Sequence, residues 1–210
     1  MFTGLVQAVG RIERVERRGA GAHLVVQAAP LDGAGLGVGD SIAVNGCCLT
    51  VTAIEDSRFH ADLSDETLAR TANLDQCGPV NLELSLTVGA RIGGHLVSGH
   101  VDAAGTVVGF NAAADLDSRE LRVRAPRALA PYLALKGSLA VDGVSLTINR
   151  VQDLEDGCDV TINLIPHTLD VTTLGQLSIG QRVNLEVDSL ARYAERIISM
   201  MAPSADGKRT

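Results

Sequence analysis

Three side chains of this sequence have the chemistry of a nucleophile or a proton carrier, namely Cys48, His100 and Ser145. A thiol or a hydroxyl can bind or activate an adding nucleophile, and histidine is the usual general base near neutral pH. Each residue also has an ordinary structural interpretation, because free cysteine is among the most often buried residues and serine often bonds to nearby backbone. Residue type alone therefore leaves catalysis and packing both open.

The three residues lie in a sequence that contains an internal repeat. Four segments of the first half return in the second half, as residues 3–6 and 98–101, 45–51 and 142–148, 62–68 and 163–169, and 80–83 and 183–186. This spacing is far longer than the roughly 20 to 50 residues of solenoid or propeller units, so it predicts two copies of a whole domain. The copies differ at their most reactive positions, where Cys48 is matched by Ser145, Leu5 by His100, and Glu66 by His167.

Composition restricts the class of protein. The 210 residues allow two domains, each of roughly 90 residues, a size that can fold alone. The net charge of -7 argues against nucleic acid as a partner. An apolar stretch of about 18 residues and a basic and apolar leader are both missing, which predicts no membrane association and a cytoplasmic protein. None of the four cysteines forms a C-x-x-C pair, so we expect reduced thiols and no metal site.

Short alternating runs bounded by Gly or Asp predict an all-β fold. They cover residues 23–27, 41–45, 48–52, 59–63 and 80–84 in the first copy, and 120–123, 138–141, 145–148, 160–163 and 183–187 in the second. An opening segment at 5–9 and its counterpart bring each copy to about six strands, and a closed barrel would leave no exposed strand edge. Residues 67–70 and 126–130 have the pattern of short helical turns.

The chain divides into a barrel at residues 1–90, a second barrel at 91–187, a helix at 188–201 and a disordered tail at 202–210, with a glycine-containing linker at 87–94. Asp188 or Ser189 would cap the helix. Its apolar residues recur at helical spacing and are Leu190, Tyr193, Ala194, Ile197, Ile198 and Met201. A helix this short is marginal alone in water, so its apolar stripe must pack on its own barrel or on another copy, and both remain open.

Five motifs in order make the chain resemble riboflavin synthase of the alpha-chain type. They are residues 1–4, 46–50, 92–100, 143–147 and 164–169, and the similarity extends over about residues 1–201. The resemblance implies two tandem homologous six-stranded Greek-key barrels, a C-terminal amphipathic helix that holds a homotrimer, and no cofactor or metal. It also implies the reaction, in which two molecules of 6,7-dimethyl-8-ribityllumazine exchange a four-carbon unit and give riboflavin and 5-amino-6-ribitylamino-uracil.

The resemblance also implies the ligand contacts. The first barrel would supply Gly4, Leu5, Val6, Cys48, Leu49, Thr50, Asp62, Leu63, Ser64, Asp65, Glu66 and Thr67. The second barrel would supply Gly99, His100, Val101, Lys136, Ser145, Leu146, Thr147, Asn163, Leu164, Ile165, Pro166, His167 and Thr168. His100 would move the proton of a ring methyl group, Cys48 and Ser145 would bind or activate the nucleophile, and Phe2 would pack over the pocket. In the family, the pockets that face each other come from neighbouring subunits.

Two other classes of protein fit part of the pattern. A non-catalytic lumazine or flavin carrier could use the same duplicated barrels, but the presence of Cys48, His100 and Ser145 favours the enzyme. A structural β-barrel without a small ligand would leave the matched polar positions of both copies without a reason. The residues leave open whether the protein associates with lumazine synthase.

Overall fold

The computed structural model describes residues 1–113 and 117–201. The first barrel consists of β1 (Ala8–Arg18), β2 (Gly21–Gln27), β3 (Ser41–Val44), β4 (Cys47–Glu55), β5 (Arg58–Leu63) and β6 (Gly78–Leu84), with helix α1 (Asp65–Arg70) before β6. The second barrel consists of β7 (Ala103–Ala112), β8 (Arg119–Pro126), β9 (Ser138–Val141), β10 (Val144–Asp153), β11 (Gly157–Leu164) and β12 (Arg182–Val187), with helix α2 (Pro166–Val171) before β12. Helix α3 (Ser189–Met201) ends the described chain, and the predicted disordered tail, residues 202–210, lies outside the described residues.

The two barrels have the same topology, which confirms the predicted fold class. Each barrel closes through six antiparallel strands, in the order β1-β2-β5-β4-β3-β6 for the first and β10-β11-β8-β7-β12-β9 for the second. In the first barrel β2 pairs with β5 rather than with β3, which is the long connection of a Greek key. Closure leaves no free edge in either sheet.

Alternation along the strands fills the two barrel interiors. On β4, Cys47, Leu49 and Val51 are buried in the first core, while Cys48 and Thr50 point to the outside. The core of the second barrel is built in the same way and contains the matched residues Val144 and Ile148. The strand pattern therefore separates packing positions from surface positions that a ligand can reach.

The opening strand differs from the sequence-based prediction. We expected it at residues 5–9, but β1 begins at Ala8 and continues to Arg18, with a register shift between Ile12 and Arg14. Val6 does not join β1, because it packs against the core of the second barrel. The apolar residues before Ala8 thus serve a contact between the barrels.

Two hairpin turns meet where the two barrels contact each other. Asn45-Gly46 and Asp142-Gly143 have the same positive φ angles, 45° and 80°. A Cβ atom added to either glycine would lie 2.7 Å from the backbone nitrogen of the other, so both positions require glycine. The matched glycines are therefore explained by close packing of the two copies.

Two buried asparagines join the barrels at this contact. The side chain of Asn81 on β6 donates to the Asp142 carbonyl oxygen at 2.9 Å, and that of Asn184 on β12 donates to the Asn45 carbonyl oxygen at 3.0 Å. Their backbone N–H groups complete the pattern by donating to the side chains of Asn45 and Asp142 at 2.7 and 2.8 Å. Buried amides in such a satisfied network fix the relative orientation of the barrels.

Helix α3 exposes its apolar stripe and rests on its barrel through its polar face. Asp188 caps the helix, since its carboxylate accepts the Leu190 N–H at 2.9 Å. Arg192 holds the helix to the barrel through two bonds to Asp102, at 2.7 and 3.0 Å. The large apolar residues of the stripe are 60 to 78% exposed, so one chain alone does not cover them. They are Leu190, Tyr193, Ile197, Ile198 and Met201. In the described part of the chain, no helix is long and apolar enough to cross a membrane.

Candidate active site

The segment before each barrel lies on the other barrel. The N–H of Ser145 donates to the Gly4 carbonyl oxygen at 2.8 Å, and Val6 packs against the second core. In the same way, the N–H of Cys48 donates to the carbonyl oxygen of residue 99 at 2.8 Å, and Val101 packs against the first core. Residues 4–6 therefore lie on the second barrel before the chain enters the first, and residues 99–101 lie on the first barrel before the chain enters the second. We call them the crossing segments.

This crossing corrects the predicted distribution of the site residues. We expected residues 4–6 to act with the first barrel and residues 99–101 with the second, whereas in the structure each segment packs against the other barrel. His100 lies with Cys48 in one cavity, which we call the Cys48 pocket. Leu5 follows Gly4, which contacts Ser145, and we call this equivalent site around Ser145 the Ser145 pocket. Sequence order fails here because the first strand of each barrel starts only after its segment has left the other barrel.

Two buried carboxylates hold the crossing segments in place. Glu83 on β6 accepts hydrogen bonds from the N–H groups of residues 3–4 at 2.6 and 3.0 Å. Glu186 on β12 accepts from those of residues 98–99 at 2.6 and 2.9 Å. Burial raises the pKa of both carboxyl groups, to about 7 for Glu186, while the N–H donors act in the opposite direction. The sequence analysis missed these residues, although a glutamate ends the matched Val-Asn-Leu-Glu segment of both copies.

The Cys48 pocket is an open cavity of about 430 Å³, a size that suits a small-molecule ligand. Residues 99–102 form one side of the cavity, and α1 forms the other through Glu66, Thr67 and Arg70. Ser64 caps α1 by accepting the Thr67 N–H at 3.1 Å, so the predicted contact segment is fixed by a helix start. The pocket thus combines a thiol, an imidazole and backbone groups on rigid elements.

The two adjacent cysteines have different environments. Cys47 is buried in the first core, and desolvation raises the pKa of its thiol to about 12. Cys48 is half-buried and faces the pocket. A thiol that does not ionise near neutral pH is a poor nucleophile, so only Cys48 is placed for chemistry.

We expected Phe2 to pack over the pocket, but it lies beneath the Cys48 pocket. Its side chain is fully buried between the barrels with Ala43, Val97 and Ala140, and Cys48 packs against this cluster. A Cβ atom on residue 99 would lie 2.6 Å from Cys48 Cβ and 2.8 Å from the Phe2 ring. The glycine therefore lets the backbone before His100 approach the thiol.

The site around Ser145 repeats the close contact between segment and strand with different side chains. A Cβ atom on Gly4 would lie 2.5 Å from Ser145 Cβ, so this crossing segment is just as close to its strand. Leu5 is 50% exposed at the position that His100 occupies in the other pocket. His95 Nδ1 lies 2.7 Å from Ser145 Oγ, a contact that sequence analysis missed although residue 95 lies within the quoted 92–100 motif.

The remaining predicted contacts divide into exposed and buried side chains. Among those of the second barrel, Thr147, Asn163, Ile165, Pro166, His167 and Lys136 are exposed, and Leu146 and Thr168 are half-buried. In the first barrel, Thr50, Asp62, Asp65 and Glu66 are exposed. Leu49, Leu63 and Leu164 point into the two barrel cores, so any contact of theirs with a ligand must come from backbone atoms.

The fold and the two pockets define a protein built from two lumazine-binding domains. The family model described as "Lumazine binding domain" matches residues 3–85 and 98–188, so each match begins with a crossing segment. Riboflavin synthase of Photobacterium phosphoreum is 42% identical over 97% of this chain and 91% of its own length. Riboflavin synthase of Mycobacterium tuberculosis (strain ATCC 25618 / H37Rv) is 43% identical over 94% of this chain and 98% of its own length. The chain belongs to the riboflavin synthase family.

Solved structures with the same fold contain a lumazine or a flavin as ligand. LumP complexed with 6,7-dimethyl-8-(1'-D-ribityl) lumazine has a TM-score of 0.77 and 25% identity, covering 89% of this chain and 99% of that one. LumP complexed with riboflavin has a TM-score of 0.78 at 24% identity, a likeness that shows the fold alone.

Proposed function

We propose that this protein is a riboflavin synthase, which converts two molecules of 6,7-dimethyl-8-ribityllumazine to riboflavin and 5-amino-6-ribitylamino-uracil. One observation carries the proposal: two pockets of the same fold differ at their reactive positions, in a chain 42% identical to a riboflavin synthase. A four-carbon unit moves from one lumazine to the other, so the two products together contain all the atoms of the two substrates. The reaction therefore needs no further co-reactant.

The duplicated pockets suit a reaction between two identical molecules. Each pocket binds one lumazine, and the differences between the pockets decide which molecule donates the four-carbon unit. Holding two reactants in a reactive pose can contribute roughly 7 to 11 kcal/mol to lowering the barrier. His100 takes the proton from a ring methyl group, and Cys48 and Ser145 bind or activate the adding nucleophile.

The assembly that we propose is a homotrimer held by α3. The uncovered apolar stripe of α3 supports self-association, because the helix contacts its own barrel through polar residues such as Arg192. In this trimer the Cys48 pocket of one chain faces the Ser145 pocket of its neighbour. We further propose a cytoplasmic enzyme that uses neither nucleic acid nor a membrane.

Incubation with the lumazine as the single substrate tests this function. We expect riboflavin to form with two lumazines consumed for each riboflavin, followed by absorbance, and the uracil product to appear in equal amount. A carrier would bind the lumazine and release it unchanged. Absence of riboflavin from a folded protein that binds the lumazine would favour the carrier.

A further inference from the structure

The Ser145 hydroxyl has a half-buried histidine, His95, as its neighbour. His95 lies in the segment between the barrels, with its N–H donating to the Thr3 carbonyl oxygen at 3.2 Å. Its Nδ1 is 2.7 Å from Ser145 Oγ, within the range of a strong hydrogen bond. The Ser145 backbone is fixed at the same time, because its N–H donates to Gly4. Both the strand position and the side-chain oxygen of Ser145 are thus held.

The surroundings of Nε2 indicate whether Nδ1 or Nε2 carries the proton of the neutral His95 ring. Nε2 is buried and has no hydrogen-bond partner among the described residues. If Ser145 donated to Nδ1, the neutral ring would carry its proton on Nε2, and a buried N–H would be unsatisfied. Orphaned buried donors are rarer than under-satisfied acceptors. The geometry therefore favours the tautomer with the proton on Nδ1.

The charge state of the ring agrees with this tautomer. An imidazolium would carry a second N–H, on Nε2, which would be unsatisfied, and it would bury a charge as well. Burial lowers the pKa of His95, and the carboxylate of Asp188 at the start of α3 opposes this only in part. The ring is therefore neutral near pH 7, with Nδ1 as its donor.

We propose that His95 is a positioning residue, which donates a hydrogen bond to Ser145 Oγ and thereby turns the Ser145 proton into the pocket. A hydroxyl has one donor and two acceptor positions. With one acceptor position occupied by His95, the proton of Ser145 is free to bind a carbonyl oxygen or a ring nitrogen of the bound pteridine. Ser145 then acts as a fixed donor toward the ligand, and His95 is not its base. This inference rests on the proposed function.

Four single variants and one double variant of the full-length chain test the proposal. His95→Asn keeps an N–H donor near the Nδ1 position, whereas His95→Gln places it near Nε2, and the two differ by one methylene group. We expect His95→Asn to keep turnover within about threefold of wild type, and His95→Gln and His95→Leu to lose about 10- to 100-fold, as for one lost hydrogen bond to a fixed group. In the double variant, His95→Leu should lower the turnover of Ser145→Ala by less than about a further twofold, because His95 acts through Ser145.

The pH profile of turnover separates positioning from base catalysis. Asn does not titrate, so under the proposal His95→Asn keeps the profile of the wild type. Collapse of turnover in His95→Asn, or loss of the acidic limb of its profile, would overturn the proposal. Thermal unfolding of each variant, followed by circular dichroism, shows that the chains compared are folded.

Binding of the lumazine, followed by its fluorescence, runs beside the kinetics. An inactive wild type would refute the proposed function, but the binding series would still decide the role of His95. We expect His95→Asn to bind as the wild type does and His95→Leu to bind about tenfold more weakly. Equal binding by all His95 variants, with equal turnover, would refute the positioning role.

Discussion

The two barrels share their topology, their interlocked hairpins and the glutamates that hold the crossing segments, but their pockets differ in chemistry. The first has a thiol at Cys48 and an imidazole at His100, while the second has the hydroxyl of Ser145 and the alkyl chain of Leu5. The shared framework holds both sites in the same way, so these side chains give the two sites different chemistry. Duplication of one fold has thus produced two non-equivalent sites.

A second difference concerns the side chains around Asp62. In the first barrel His23 Nδ1 lies 2.6 Å from Asp62 Oδ1, and His23 Nε2 lies 3.0 Å from His60 Nδ1. The second barrel has Glu120 opposite Asn163, at the strand pair equivalent to His23 and Asp62. The side chain of Asp62 is therefore held by His23 in the first copy, while its counterpart Asn163 has no imidazole neighbour in that strand pair.

Replacing His100 gives the largest expected effect, because it makes the pockets alike at this position. His100→Leu should still bind the lumazine, while turnover falls about 10² to 10⁴-fold through loss of the base. Adding Leu5→His to this variant should not restore turnover, since the new imidazole lies in the Ser145 pocket. Steady-state kinetics and fluorescence titration measure both properties. High activity of His100→Leu, or rescue by Leu5→His, would remove the distinction between the pockets.

Breaking the helix contact should separate the two pockets without changing either. Ile197→Glu with Ile198→Glu puts charges into the exposed stripe of α3 but keeps the Arg192 bonds to Asp102. We expect monomers that bind the lumazine but form almost no riboflavin. Sedimentation velocity with an activity assay measures this, with Glu195→Gln on the polar face as the control. A fully active monomer would show that one chain is sufficient.

The adjacent cysteines offer a smaller contrast within the first barrel. Cys48→Ser should lower turnover by about tenfold or more with little change in stability, because its thiol faces the pocket. Cys47→Ser should instead lower stability by about 1 to 3 kcal/mol, since it buries a hydroxyl in the core. Kinetics and urea unfolding of both variants separate the roles. The idea fails if the two variants lose activity and stability to the same extent.

The hairpin turns are expected to affect stability rather than turnover, and the effect depends on pH. Burial raises the pKa of Asp142 from 3.8 to about 7, so the folded chain binds this proton more tightly than the unfolded chain does. The contribution to stability is present below about pH 4 and is lost as pH rises through 7. Asp142→Asn, which copies Asn45, should be more stable than wild type at pH 8 by up to about 4 kcal/mol. Urea unfolding at pH 5 and pH 8 measures the difference, and a difference that does not change with pH contradicts it.

Local patterns explain what the sequence could predict. Alternation and the Asn45-Gly46 turn, with its match in the second copy, predicted the strands and the duplicated barrels, because both signals act between near neighbours. The crossing of residues 4–6 could not be predicted, since they stand directly before β1 in sequence and only tertiary packing carries them to the other barrel. His95 and His100 occur in one motif, and only the fold shows that they serve different pockets.

Mixing two inactive variants tests the central claim most directly, namely that His100 and Ser145 belong to different pockets that meet between chains. His100→Leu and Ser145→Ala, unfolded together and reassembled in equal amounts, should form mixed trimers in which about a quarter of the interfaces have both pockets intact. We predict recovery of about a quarter of wild-type activity on this symmetry. The matched pair His100→Leu and Cys48→Ala damages one pocket twice and should recover none. Absence of recovery in the first mixture would contradict the crossed pockets and their meeting between chains.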